Sequence, residues 1–228
     1  MEKRNGFYFK DGQPYLSTTE ILKVINKPAL MHWFGKEIYY AMIKDPSLDE
    51  RTALTMPYST SSDAKSRGTT VHSIVEAYKS TGDVLEGIPD QFQGYATAFY
   101  TFMRDHQVQL IEQEKQVFDP VERIAGTLDI YAKIGDSCMV IDVKTGKDIY
   151  PEAALQLSSY AFMLRLEGKP VDSISVLLLE TGVDGMPTGK YKFVTQEEDR
   201  DSFLAAKQLY VWQNKEKLLK VGYLISEA

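Results

Sequence analysis

Cysteine is almost absent from this sequence, since Cys138 is the only one among 228 residues. A single thiol cannot close an internal disulfide, and it cannot by itself hold a zinc ion or an iron–sulfur cluster. The composition therefore excludes a disulfide-stabilised fold and predicts a protein of the reducing cell interior.

Long apolar runs are missing as well. No stretch of 18 or more apolar residues occurs, so the sequence predicts no membrane-spanning helix and no membrane partner. The opening residues, MEKRNGFYFKDGQ, lack the apolar core of a secretion signal and the arginine-rich, acid-poor pattern of a transit peptide. We therefore expect an intracellular protein.

Positive charge is not in excess. The chain has 26 Lys and Arg against 32 Asp and Glu, which gives a net charge of −6 and a pI near 5.2. This balance argues against a surface coated with positive charge for nucleic acid, although it leaves room for a local basic groove. An acidic balance also arises when carboxylates are collected to hold cations.

The order of predicted elements indicates an α/β fold. A hairpin is predicted around Asp11-Gly12, followed by helices, while residues 45–65 are polar, contain two prolines and are predicted as a loop with one helical turn at most. A helix ending near Gly82, another helix, a three-stranded meander, a helix, two strands and a closing helix over residues 196–219 complete the chain. The sequence thus predicts a mixed β-sheet flanked by helices, with a helical N-terminal lobe.

Two aspartates are predicted to face each other across one hairpin. A two-residue turn at Gly135-Asp136 places Asp129 directly opposite Asp142, with Cβ atoms about 4.5–5.5 Å apart. A four-residue loop gives the same register, whereas a three-residue loop separates the two acids. Like charges this close destabilise the strand pair unless a cation lies between them.

Strand alternation places Asp142 and Lys144 on one face of their strand, and Thr127, Asp129 and Tyr131 on one face of the strand before it. One interpretation is a solvated polar face on which the lysine pairs with the acids. The other is a metal-binding, catalytic site. Because aspartate is depleted in strands, two of them in register favour the site.

Four short motifs follow one another over about half the chain: Gly68 to His72, Gly126 to Asp129, Asp142 to Thr145, and Gln156 to Tyr160. In this order they resemble the RecB-type exonuclease branch of the PD-(D/E)XK nuclease superfamily. The N-terminal LSTTEIL and PALMHWFGKE are similar to segments of mitochondrial genome-maintenance exonucleases and phage exonucleases. The resemblance implies a restriction-endonuclease-like α/β fold and a single nuclease domain over residues 1–228, with the lobe at 1–65 and the core at 66–228.

The resemblance also implies an activity, namely divalent-metal-dependent hydrolysis of DNA phosphodiester bonds by an exonuclease of recombination, repair or replication. The substrate would be single-stranded DNA or the end of a duplex, and the partner a recombination or replication protein. A bacterial or phage-encoded cytoplasmic protein is expected rather than one of the mitochondrial matrix. Two alternatives stay open: a structure-specific endonuclease of the same fold, and a catalytically inactive DNA-binding module.

By this resemblance, one or two Mg²⁺ or Mn²⁺ ions, and no iron–sulfur cluster, would be bound by His72, Glu114, Asp129, Asp142 and the carbonyl of Val143. Carboxylate oxygens suit Mg²⁺, and a histidine ligand adds preference for Mn²⁺. The alternative for His72 is a half-buried residue at the edge of an apolar helix stripe. The alternative for Glu114 is an exposed charge on an edge strand.

Lys144 would orient or deprotonate the attacking water, or stabilise the charged phosphate. Gln156 and Tyr160, one helical turn apart, would contact DNA or brace the catalytic residues, although an ordinary helix surface is the alternative for Tyr160. Further DNA contacts are predicted for Ser66, Arg67 and Thr69 at a helix start, for Lys147 after the strand, and for Trp33 and Lys36 in the lobe. A core position is the alternative for Trp33.

Overall fold

The computed structural model describes residues 2–183 and 185–224. The strands are β1 (Glu2–Arg4), β2 (Phe7–Lys10), β3 (Gln13–Ser17), β4 (Gln109–Asp119), β5 (Ile124–Ile134), β6 (Ser137–Gly146), β7 (Ser173–Thr181) and β8 (Pro187–Gln196). The helices are α1 (Thr18–Ile21), which continues into a 3₁₀ turn (Leu22–Val24), α2 (Pro28–Lys44), α3 (Glu50–Thr81), α4 (Asp90–Asp105), α5 (Glu152–Leu166), α6 (Arg200–Gln213) and α7 (Lys215–Val221). Across this described part of the chain, every helix is too short or too polar to span a membrane.

One mixed sheet organises the molecule. Its strands follow the order β1-β2-β3-β5-β6-β7-β8, and β4 pairs with the remaining edge of β5. The pairs β3–β5 and β6–β7 are parallel, and the other pairs are antiparallel. The predicted mixed sheet with flanking helices, the N-terminal hairpin and the meander β4–β5–β6 are all confirmed.

The central strand β5 shares one edge between two neighbours. Its pairing with β6 runs from Ile134–Ser137 to Ile130–Ile141, which confirms the predicted two-residue turn. On the same edge, β3 pairs with Ile124 and Ala125 at the start of β5. In the described part of the sheet, residues 126–129 therefore lie in a fork between β3 and β6, and Asp129 stands where β6 begins to diverge.

Side-chain alternation along β5 breaks at Asp129. Leu128 and Tyr131 are three residues apart, yet both belong to the core on the α5 side of the sheet. Opposite this point, Glu114 of β4 has a φ of +46°, a left-handed backbone that marks a local irregularity of the strand. The prediction that Thr127, Asp129 and Tyr131 share a face is therefore wrong, because the break turns Thr127 to the other side.

Apolar cores fill both faces of the sheet. On one face, Leu157 and Leu164 of α5 and Phe203 of α6 pack against β5, β6 and β7. On the other face, Val71 and Val75 of α3 pack with the aromatic residues of α4. The helices that carry His72 and Gln156 are thus held on opposite sides of the same strands, and the fork lies between them.

Two helix predictions need correction. The loop predicted at residues 45–65 is wrong from residue 50 onward, because α3 begins there with Asp49 as its cap and continues through Pro57. A proline in a helix costs one hydrogen bond, which packing against a neighbouring helix such as α2 can offset. The closing helix predicted at 196–219 is two helices, α6 and α7, which meet at Asn214.

Candidate active site

Three carboxylates lie side by side across β4, β5 and β6. Asp129 lies next to Asp142 at the fork, and it lies opposite Glu114 because the neighbours of both residues pair in the β4–β5 ladder. Asp129 is 8% exposed and Asp142 is 1% exposed. Two buried acids of like charge are unfavourable unless other groups compensate them, so the surroundings of each one decide what the cluster can do.

Asp129 replaces a strand partner at the fork. Its Oδ2 accepts a hydrogen bond of 2.7 Å from the backbone N–H of Val143, which the diverging strand would otherwise leave without a partner. Burial, and after it the charge of Asp142, raises the pKa of Asp129 to about 7. An added cation would restore the ionised form of this carboxyl.

His72 on α3 faces the same carboxylates. Its Nδ1 lies 3.5 Å from Oδ1 of Asp129 and 3.7 Å from Oε1 of Glu114, too far for good hydrogen bonds. One nitrogen and two oxygens, all within 4.8 Å of one another, form a candidate metal-binding set. Ligands about 2.1 Å from an octahedral Mg²⁺ lie roughly 3–4 Å apart, so the spacing fits such an ion.

The protonation of His72 follows the same charges. Its contact with the Glu114 carboxylate raises the pKa of His72 above the usual value against the effect of burial, and the charge of Asp129 adds to this rise. A metal ligand must be a neutral imidazole, so metal and proton would compete for this nitrogen.

Asp142 contacts a different set of groups. Lys144 Nζ lies 3.0 Å from its Oδ1 and 2.8 Å from its Oδ2, and Gln156 Nε2 donates to Oδ1 at 2.9 Å. Apart from the contact with Nζ, the buried Oδ2 accepts no hydrogen bond from the described residues. This free lone pair is what a metal ligand needs, although Asp142 lies outside the set formed by His72, Glu114 and Asp129.

Lys144 is held in its charged form. Burial alone would lower the pKa of Lys144, but the charges of Asp142 and Asp129 outweigh burial and raise it. The side chain is therefore an ammonium that contacts one carboxylate. A cation that neutralised the two aspartates would weaken this effect and make the lysine easier to deprotonate.

Tyr160 is buried and is not part of an exposed helix surface. Its side chain is 2% exposed, and Gln156 Nε2 lies 3.3 Å from its hydroxyl. The ring packs over Gly126 so closely that a Cβ atom there would lie 2.2 Å from its Cε1. Burial raises the pKa of Tyr160 well above the ordinary value, so the phenol stays neutral.

The residues predicted at a helix start lie inside a helix instead. Because α3 begins at Glu50, the backbone N–H groups near Ser66, Arg67 and Thr69 are used within the helix, and the prediction of an anion site at a helix start is wrong. Of the three residues, Thr69 shares a depression with His72. Thr69 and His72 line an open depression of about 450 Å³ together with Gly68, Ser73, Glu76 and Glu114.

The N-terminal lobe lies beside the helix that carries Gln156. Lys27, directly before α2, forms an ion pair of 2.6 Å with Glu152 at the start of α5. Trp33 is half-buried against Phe34 in the lobe, and Lys36 is exposed. Lys147 is exposed just after β6. Lys36 and Lys147 are thus accessible cations.

Sequence reasoning missed two supporting residues. Gln113 donates a hydrogen bond of 3.0 Å to the carbonyl of Val75, which ties β4 beside Glu114 to α3 beside His72. No sequence signal points to this contact. Gly126, the first residue of one motif, is the second: a glycine inside a strand often marks a close approach, which here is that of the Tyr160 ring.

Comparison with known proteins gives matches among solved structures alone: no protein-family model and no curated protein matches the chain. An alkaline exonuclease of Laribacter hongkongensis matches with a TM-score of 0.47 and 12% identity, over 92% of this chain and 90% of that one. A provisionally named exonuclease of Eubacterium rectale matches with a TM-score of 0.49 and 13% identity, over 93% and 83%. A phage-related exonuclease of Haemophilus somnus 129PT matches with a TM-score of 0.40 and 12% identity, over 90% and 97%.

The exonuclease names belong to the matched proteins. At such identities and TM-scores the likeness concerns the fold alone and carries no argument about substrate or mechanism.

Proposed function

We propose that this chain is a divalent-metal-dependent DNA exonuclease of the RecB-type branch of the PD-(D/E)XK nucleases, with one nuclease domain over residues 1–228. The observation that carries the proposal is the row formed by the half-buried Glu114 and the buried Asp129 and Asp142, with Lys144 at one end and His72 at the other. Three acids against one lysine and one histidine leave an uncompensated negative charge. A divalent cation is the natural complement of such a set.

The metal ligands proposed are His72, Glu114, Asp129, Asp142 and the carbonyl of Val143. Mg²⁺ or Mn²⁺ fits the oxygen donors, and the imidazole favours Mn²⁺. When bound, such an ion supplies Lewis-acid stabilisation of the phosphoryl charge and a more acidic water. Lys144 supplies a second catalytic contribution beside that of the ion, since its ammonium next to Asp142 can hold a water or a phosphate oxygen in place.

Gln156 and Tyr160 are proposed as positioning residues. Gln156 donates a hydrogen bond to Asp142 and thereby fixes the orientation of its carboxylate. The Tyr160 hydroxyl contacts the same amide nitrogen of Gln156 and holds that amide in place. Neither contact requires substrate, so both residues act by setting the geometry of Asp142 before the reaction.

DNA is proposed to approach from the side of α3 and the lobe. Candidate contacts are Thr69 in the wall of the depression, Ser66 and Arg67 on the same helix, Lys147 after β6, and Trp33 and Lys36 in the lobe. Lysine and arginine side chains suit backbone phosphates, and aromatic rings suit unpaired bases. Recombination, repair or replication, with a partner protein of that process, is the proposed setting in a bacterial or phage-infected cytoplasm.

The proposal is tested by digesting end-labelled single- and double-stranded DNA with Mg²⁺, Mn²⁺ or EDTA. We expect metal-dependent loss of label, and no loss with EDTA. Loss of label from neither substrate with either metal would refute the enzyme proposal and leave the inactive DNA-binding module.

The Lys144→Ala variant tests the mechanism. We expect it to abolish cleavage, a fall of about a thousandfold or more, while binding of DNA in EDTA stays largely intact, because the lysine acts on the reacting groups. Lys190→Ala on the exposed face of β8 is the matched control and should cut at the wild-type rate. Wild-type cleavage by Lys144→Ala would contradict the mechanism.

A circular single strand separates the exonuclease from an endonuclease of the same fold. An enzyme that needs a DNA end leaves the circle intact under conditions that digest the linear strand of the same sequence. Linearisation of the circle would instead establish the endonuclease alternative.

A further inference from the structure

A second open depression lies away from the active site, where α6 meets α7. It measures about 980 Å³. Its walls come from the turn between β1 and β2, the 3₁₀ turn after α1, and the junction of α6 and α7, and none of its lining residues lines the depression beside His72. We call it the lysine groove, after Lys23, Lys215, Lys217 and Lys220.

The groove is positive on a negative protein. Four lysines and two acids, Glu20 and Glu216, line it, which gives a local charge of about +2. The whole chain carries −6, so the remaining residues together carry about −8. Such a local reversal of sign concentrates anions at the groove against the field of the rest of the surface.

One of the two acids is already compensated. Glu20 accepts from the Tyr210 hydroxyl at 2.9 Å and from Lys217 Nζ at 2.8 Å, and its other oxygen accepts from Lys23 Nζ at 2.6 Å. Among the ion pairs found in residues 2–183 and 185–224, none includes Lys215 or Lys220. These two ammonium groups are therefore available to an incoming anion.

An indole stands at the same groove. Trp212, near the end of α6, is 67% exposed, an unusual state for so large an apolar ring. A flat aromatic face beside accessible lysines suits a ligand that has both phosphates and an unpaired base, since a base in a duplex is already stacked on its neighbours. An anion without a ring would leave the indole in water.

We propose that the lysine groove binds single-stranded nucleic acid, with backbone phosphates on the lysines of α7 and a base stacked on Trp212. The natural ligand is DNA if the proposed nuclease function holds, and the proposal rests on that function for this identity alone. Binding at the groove requires neither the metal site nor cleavage. The groove would hold a part of the strand that is not being cut.

The test measures binding of an oligothymidylate to the full-length protein in EDTA, so that no cleavage occurs. In a Trp33→Phe background the fluorescence reports Trp212 alone, since the chain has two tryptophans. We expect the oligonucleotide to quench this fluorescence, and Trp212→Ala in the wild-type background to weaken binding about tenfold or more. Absence of quenching, or unchanged affinity, would overturn the proposal.

Salt dependence tests the lysines separately. Replacing Lys215 and Lys220 by glutamine should make the slope of log affinity against log salt less negative by about 1.4, because each phosphate contact on a single strand contributes roughly 0.7. Lys190→Gln with Lys192→Gln on β8 is the control pair and should leave the slope unchanged. Equal slopes for all three proteins would overturn the role of the lysines.

Two further probes show which chemical feature of the ligand quenches the fluorescence of Trp212. Inorganic phosphate should not quench Trp212, and a blunt duplex of the same length should quench it weakly; equal quenching by either probe would overturn a site for an unpaired base. Quenching without metal-dependent cleavage would refute the nuclease and keep the groove. Cleavage without quenching would refute the groove and keep the nuclease.

Discussion

Two clusters of this molecule combine carboxylates, lysine and tyrosine, and they are balanced in opposite ways. At Glu20, one carboxylate receives two lysines and a tyrosine hydroxyl, and these contacts outweigh burial and lower the pKa of Glu20 to about 2. At Asp129, burial and a neighbouring acid raise the pKa to about 7. The same residue types thus hold one acid firmly ionised and leave the other only partly ionised at neutral pH.

The difference shows which cluster is structural. A carboxylate that its neighbours fully compensate stabilises the fold and has no need of a further cation. A row of three acids with too few positive neighbours costs stability and is retained where a cation or a substrate completes it. Experiments that change one cluster and not the other can therefore test this distinction directly.

The largest expected effect comes from Asp129→Asn. The amide oxygen can still accept from Val143, so the fold is kept, but a metal-binding charge is lost and cleavage should fall about a thousandfold or more. The metal-free variant should melt at or above the temperature of the wild-type protein, because one of two crowded acids is gone. A clearly lower melting temperature in calorimetry would show that Asp129 is a structural acid like Glu20.

The next effect is stabilisation by the metal itself. Mn²⁺ at a hundredfold excess over its dissociation constant should raise the free energy of unfolding by about 2.7 kcal/mol, because it binds the folded state alone. Denaturant titrations with Mn²⁺ and with EDTA measure this difference. It should disappear in Asp129→Asn and persist in Glu20→Gln. Equal stabilisation of all three proteins would place the metal elsewhere.

Glu20→Gln should act on stability and not on cleavage. The pKa of Glu20 is lowered from 4.5 to about 2, so its ionised form stabilises the fold at any pH above 4.5, and this contribution is lost as the pH falls from 4.5 towards 2. At pH 7 the variant should lose about 2 kcal/mol, because Lys217 loses its ionised partner. Unfolding curves of the two proteins should converge as the pH approaches 2; a constant gap would contradict the charge argument.

How much of this site the sequence could predict depended on how local each signal is. Asp129 is predicted opposite Asp142 because of the two-residue turn at Gly135-Asp136. This turn is a short-range feature, and the structure has it. The break of alternation at Asp129 involves Glu114 on another strand, so a single-strand pattern could not reveal it.

The Glu20 cluster could not be predicted from any local signal in the sequence. It joins Glu20 to Tyr210 and Lys217, which lie 190 and 197 positions further along the chain, and nothing local marks them as its neighbours. The helix through Pro57 could not be predicted for a related reason. A segment rich in proline and serine favours a loop by its local propensity, whereas in the folded protein packing against other helices favours the helix. Local chemistry therefore predicts the hairpin of Asp129 and Asp142 better than its surroundings.

Two glycines allow the two clusters to be compared by adding a single methyl group, because each glycine lies against one of the clusters. A Cβ at Gly126 would lie 2.2 Å from the Tyr160 ring, and a Cβ at Gly6 would lie 2.6 Å from Cδ of Glu20. Gly126→Ala and Gly6→Ala should each cost about 1 kcal/mol of stability, measured by denaturant unfolding. Only Gly126→Ala should also slow cleavage, by about tenfold, because a displaced Tyr160 releases Gln156 from Asp142. Equal cleavage rates for the two variants would mean that Tyr160 supports the fold and not the geometry of Asp142.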